Sequence, residues 1–145
     1  MSRLTTLIGA NVAFVAANLL HTADHQRQGI DGLTWEIMAG GSAITIAAIA
    51  SLVLALRRDG RAPLFAMMLG FSAAVGIAAS HIAPHWSALS DSYPQIHADA
   101  ISWIVVLLEI AGALWLGLVG LRELRRASTS AASAAVPSRT RRITA

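Results

Sequence analysis

Four apolar runs, at about residues 4–21, 34–56, 62–83 and 94–121, leave this 145-residue chain little choice of architecture. Each approaches or exceeds the roughly 20 residues a helix needs to cross the hydrocarbon core of a bilayer. A segment in lipid must satisfy its own backbone hydrogen bonds, so such runs become helices. The expected fold is therefore all-α: a polytopic membrane protein, a four-transmembrane-helix bundle over residues 1–126, followed by a disordered basic cytoplasmic tail over 127–145. The first run resembles a secretory signal in length. The single Arg ahead of it, Asn11 and Asn18 inside it, and three comparable runs behind it favour a retained helix.

Arginine sets the expected orientation. Arg3, Arg57, Arg58, Arg61, Arg122, Arg125, Arg126 and the three tail arginines fall on one side of such a bundle, and Arg27 alone falls on the other. Cytoplasmic connections collect positive charge, so both termini are expected inside, in a multi-pass protein of the cell inner (plasma) membrane. Trp35, Trp86, Tyr93 and Trp103 then form an outer aromatic belt. The basic charge is thereby absorbed by topology, and no nucleic-acid partner is implied. The expected partners are the lipid bilayer and, given the small-residue edges Ala39/Ala43/Ala47/Ser51/Ala55 and Ala66/Gly70/Ala74/Ala78, a second copy (a homodimer) or a larger membrane complex.

Between the runs, residues 22–33 carry two glycines and mixed charge and read as a loop. Thr34 is a suitable N-cap, and Pro63 and Pro94 suit the first turns of the third and fourth helices. That register places His97 and Asp99 in the opening turns of the fourth helix.

The chemistry lies in the histidines. His21-Thr-Ala-Asp24-His25 and His81-Ile-Ala-Pro84-His85 each close an apolar run at its outer end, and helical residues four apart share a face. With no cysteine in the chain, a metal must be held by nitrogen and oxygen. The expected ligands are His21, His25, His81 and His85, with Asp24, His97 and Asp99 as second candidates, for a transition metal of the Zn, Cu, Fe or Ni kind in a handling, sensing or redox role. Pro84 lacks a backbone donor and clashes with the Ser80 carbonyl, so the third helix should kink or end there. An offset of 60 aligns His21 with His81 and His25 with His85, consistent with two pseudo-repeated helical hairpins. Two other readings stand beside the metal site. One is a bis-His haem b electron-transfer protein with His21 and His81 as axial ligands. The other is a non-catalytic accessory subunit whose histidines simply face the interface.

Two further polar features need an interior. Asn11, Asn18, His21 and His25 form one stripe expected to face the other helices. Glu109, near mid-membrane, is expensive as a free carboxylate. It is expected either to be hydrogen-bonded, with Asn11 or Ser72 as partner, or to belong to an ion path. No Gly-rich phosphate loop, serine-nucleophile motif or glycosidase-like carboxylate pair is present, which removes the familiar soluble hydrolase and nucleotide chemistries.

Overall fold

The computed structural model describes residues 3–135, which are all-helical with no strand. Five α-helices follow one another: α1 (Arg3–Gln28), α2 (Trp35–Leu56), α3 (Ala62–His81), the single turn α4 (Tyr93–Ile96) and α5 (Ala100–Ala135). Four of them contain spans long and apolar enough to cross a membrane, at Leu4–Gln28, Trp35–Leu56, Ala62–His81 and Ala100–Ser130. The packed pairs are α1 with α2, α2 with α3, α3 with α5, and α5 with α1. Leu4, Arg58, Pro63 and Glu123 line one pocket, so the start of α1, the α2–α3 connection and the distal part of α5 meet at one end. The histidines lie at the other.

Helix α1 runs seven residues beyond the expected end at residue 21. Its last turns are tied by side chains. The Thr22 hydroxyl donates to the Asn18 carbonyl at 3.0 Å, and Asp24 accepts from Arg27 at 2.8 Å and from Gln28 at 2.7 Å. Gly29, at φ 94°, then stops the helix as only glycine does without strain. The loop expected over residues 22–33 is thus confined to a short connection that includes the 3₁₀ turn Ile30–Gly32. Thr34 caps α2 as expected, its hydroxyl accepting from Ile37 N at 3.2 Å.

Helix α3 ends at His81, two residues before the expected boundary. Pro84 has no N–H for the Ser80 carbonyl four residues back. That carbonyl instead accepts from Asp91 N at 2.9 Å, which folds the 82–92 connection back over the helix end.

The fourth span also differs from expectation. Pro94 opens only the single turn of α4, and His97 then takes a left-handed conformation at φ 52° and breaks the helix. Asp99 restarts it, accepting from Ser102 N at 3.0 Å in the manner of an N-cap. The carboxylate also receives two bonds from Arg27, at 2.9 and 3.0 Å. The Ser102 amide and the Arg27 guanidinium together hold the Asp99 carboxyl down to about 2. A depressed folded-state pKa gives stabilisation that is present above the ordinary carboxylate range and is lost as pH falls toward 2. Asp99→Ala should therefore fray the start of α5, seen as faster amide exchange at residues 102–103. Asp99→Asn, which keeps the cap acceptor, should fray it less. Equal exchange in all three proteins would refute the cap.

Helix α5 continues for 36 residues, about 54 Å. It passes the expected end at Leu121 and takes in residues 127–135, which the sequence suggests are disordered. The remainder of the expected tail, 136–145, lies outside the described residues.

Packing between the long helices depends on missing side chains. A Cβ added at Gly70 of α3 would lie 2.3 Å from Gly117 N of α5, and one at Gly120 would lie 2.6 Å from Met67 N. On the other flank of α5, a Cβ at Gly112 would lie 3.5 Å from Phe14 Cα. The small edge of α2 is used only in part: Ser51 and Ala55 are buried and Ala47 partly so, while Ala39 and Ala43, nearer the histidine end, are exposed. There α2 stands away from its neighbours.

Candidate metal centre

Three histidines from two helices meet where α1 and α3 reach the folded-back connection. His21 and His81 are 6% and 5% exposed, and His25 is partly buried. The ring centroids of His21 and His25 are 4.6 Å apart, those of His21 and His81 4.7 Å, and those of His25 and His81 5.3 Å. One ligand nitrogen from each lies within 4.8 Å of the other two, so the three are close enough to bind one metal ion. A tetrahedral site with metal–nitrogen bonds of 2.0–2.1 Å has edges of about 3.4 Å, so shifts of about 1 Å close these rings onto an ion.

The expected i,i+4 pair on α1 is present, because that helix continues through His25. The pair on α3 is broken. Helix α3 ends at His81, Pro84 follows, and His85 is exposed outside the cluster. The pseudo-repeat therefore places His81 as the partner of His21 but gives His25 no counterpart.

The second candidates are placed elsewhere. Asp24 is buried but engaged by Arg27 and Gln28. His97 is exposed at the left-handed break. Asp99 is exposed and spends its oxygens on Arg27 and Ser102.

Two residues outside the expected set replace them. The Asp91 carboxylate Oδ2 lies 3.7 Å from His25 Nδ1 and 3.6 Å from His81 Nδ1, between the two rings. Its backbone carbonyl is 3.2 Å from His81 Nδ1. Burial pushes the Asp91 carboxyl up, and the nearby His21 offsets this in part. Tyr93, fully buried, places its hydroxyl 3.2 Å from His21 Nε2 and its ring 4.8 Å from that of His81. Burial also raises its phenol. Both residues depend on the connection folding back, and no local periodicity marks them. The hints are the Ser-Asp-Ser-Tyr-Pro stretch at 90–94 and the place of Tyr93 in the outer aromatic belt.

Glu109 supplies the support from α5. It is 1% exposed, and its partners are neither Asn11 nor Ser72. Asn11 donates to the Leu7 carbonyl within its own helix, and Ser72 bonds to Met68 and Leu69. Glu109 instead binds His21 Nδ1 through Oε2 and accepts from Asn18 Nδ2 through Oε1 at 2.8 Å. Thr45 of α2 donates to Asn18 Oδ1 at 2.7 Å, so the chain of contacts joins three helices. A carboxylate on Nδ1 fixes the tautomer and leaves Nε2 of His21 as the ligand atom once the Tyr93 hydroxyl, 3.2 Å away, yields to an ion, an arrangement common behind metal-bound histidines.

The three histidines, Asn18 and Glu109 also line a cavity of about 770 Å³ between α1, α2 and α3. No protein-family model, curated protein or solved structure matches this chain.

Proposed function

We propose that the chain is a four-helix membrane bundle with both termini cytoplasmic, and that its opposite end holds one transition-metal ion on His21, His25 and His81. The observation that carries the reading is the convergence of three mostly buried imidazoles from α1 and α3 within ligand distance. Lone interfacial histidines have no need to meet in this way. The positive-inside distribution supports the orientation. Asp91 is the fourth candidate ligand, or the partner that orients His25 and His81. Nitrogen and carboxylate donors suit Zn, Cu, Fe or Ni.

With Asp91 as the orienting partner, three protein ligands leave a coordination position free, the form metal sites take when the ion acts on something. The three histidines all line the cavity, so a molecule entering it would approach an ion held there. The bis-His haem reading is disfavoured because the His21 and His81 rings touch edge to face, with centroids 4.7 Å apart and no gap for a macrocycle. The test is elemental analysis of untagged protein equilibrated in turn with Zn, Cu, Fe and Ni. One ion per chain is expected. Protein that stays empty with all four sinks the metal reading and leaves the accessory-subunit reading in its place.

Glu109→Gln keeps the shape but removes the carboxylate that orients His21. It should weaken metal affinity by about 10- to 100-fold, the usual range for such support. Competition with a metal-chelating dye measures this, and an unchanged affinity would make Glu109 merely structural.

A further inference from the structure

The cavity beside the histidines is larger than an ion requires. Its volume of about 770 Å³ is within the range of sites that bury a small molecule. From the three histidines it runs along α2 between Ile37 and Ile46, about 14 Å of helix. Ile37, Ile44, Ile77 and Leu89 make its wall apolar. Gly40, Gly41 and Gly76 also line it, and a Cβ added at any of them meets nothing within 4 Å. The flank is open as well: Ile46 is 69% exposed and Gly76 is exposed, both inside segments apolar enough to span a membrane. In a bilayer that flank meets hydrocarbon rather than water.

The polar groups of the lining restrict what enters. Asn18, Thr22, Gln26, Thr45 and Ser80 are uncharged, Glu109 is a carboxylate, and no Arg or Lys among the described residues lines the cavity. Arg27, on the same helix as His21, is occupied by Asp24, Asp99 and Ser102. With an ion bound, the carboxylates of Glu109 on His21 and of Asp91 beside His25 and His81 balance its two positive charges. Without one nothing balances Glu109, so in either case an anionic head finds no uncompensated cation.

We infer that the cavity takes an amphiphile from the bilayer, with its apolar chain along α2 and an uncharged oxygen-bearing head, a carbonyl or hydroxyl, at the histidine end. The role of the head rests on the metal reading, since the free coordination position is what a carbonyl or hydroxyl oxygen would meet. The seat for the chain does not.

The test uses hexadecanol carrying a photoreactive diazirine near the middle of its chain, irradiated with the full-length protein in nanodiscs and mapped by peptide mass spectrometry. Adducts should concentrate on residues 37–46 and 76–80. Gly41→Leu and Gly76→Leu fill the cavity, and leucine is the better helix former, so folding is not at risk. Both should cut the adducts about tenfold, equivalent to about 1.4 kcal/mol of lost binding. Adducts spread evenly over the exposed faces of all four long helices, and unchanged in both variants, would overturn the inference. Hexadecyl phosphate that competes as well as unlabelled hexadecanol would overturn the uncharged head. Metal content measured on the same samples separates the two ideas. Cavity adducts without an ion sustain the lipid seat and remove the metal, whereas an ion without cavity adducts does the reverse.

Discussion

Alanine at His21 or His81 is expected to reduce the bound metal from one ion per chain to a small residue, whereas alanine at His85 or His97 should leave it unchanged. The contrast follows from placement rather than residue type. His21 and His81 are buried, in contact and held from behind, by Glu109 in one case and by the Asp91 carbonyl in the other. His85 and His97 are exposed and outside the cluster. Losing an outer partner of a ligand costs about 10- to 100-fold in affinity, so losing a ligand itself should cost at least about 100-fold. A chelator titration followed by elemental analysis reads this directly, with helicity as the control for folding. The sign of the pH dependence follows from the same chemistry. An imidazole binds metal only when neutral, so retention should decline as pH is lowered and protons compete for the ligand nitrogens. Equal losses in the His85 and His81 variants would return the ligand set to the four-histidine arrangement.

What could be read from the sequence, and what could not, divides along the range of the interactions. The four long helices were legible because hydropathy over some 20 residues is a strong, local property. The stripe of Asn11, Asn18 and His21 was legible as well, and all three are buried. Helix ends were not, because they depend on single contacts. Asp24 paired with Arg27 and Gln28 prolongs α1 through a stretch whose glycines and charge suggest a loop. The left-handed His97 interrupts a segment whose proline suggests a helix start.

At the site, sequence spacing gave His21 and His25 through the helical repeat and His81 through the offset of 60 residues. His85 was misplaced by one proline. Pro84 ends the helix, and the Ser80 carbonyl it leaves unpaired holds Asp91. Asp91, Tyr93 and the pairing of Glu109 with His21 all join residues distant in the chain, and nothing in their neighbours announces them. The residue expected to spoil the second histidine pair therefore brings a different ligand candidate into the cluster.

Gly70→Ala is expected to be among the most damaging single-methyl additions in the protein. In lipid, helices gain little from hydrophobicity by associating and rely on close packing, so small residues at contacts matter more than in water. At Gly70 the added methyl would come 2.3 Å from Gly117 N and 2.5 Å from the Ala113 carbonyl. Both are backbone atoms of α5, which no rotamer change can move aside. Helices α3 and α5 must then separate along the edge where Gly120 also approaches Met67 and Pro63. Overpacking typically costs 1–3 kcal/mol when side chains can yield, so a backbone clash should cost about 3 kcal/mol or more. Gly70→Leu should abolish the α3–α5 contact. The damage should also reach the site, because α3 carries His81 and α5 carries Glu109. Gly40→Ala provides the control, since its Cβ meets nothing and alanine favours the helix by about 1 kcal/mol. Thermal loss of helicity in mild detergent should rank Gly40→Ala at or above wild type, with Gly70→Ala well below and Gly70→Leu lowest. If Gly70→Ala melts with wild type, the close contact of α3 with α5 is wrong, and the support behind His21 and His81 must be sought in another packing of the helices.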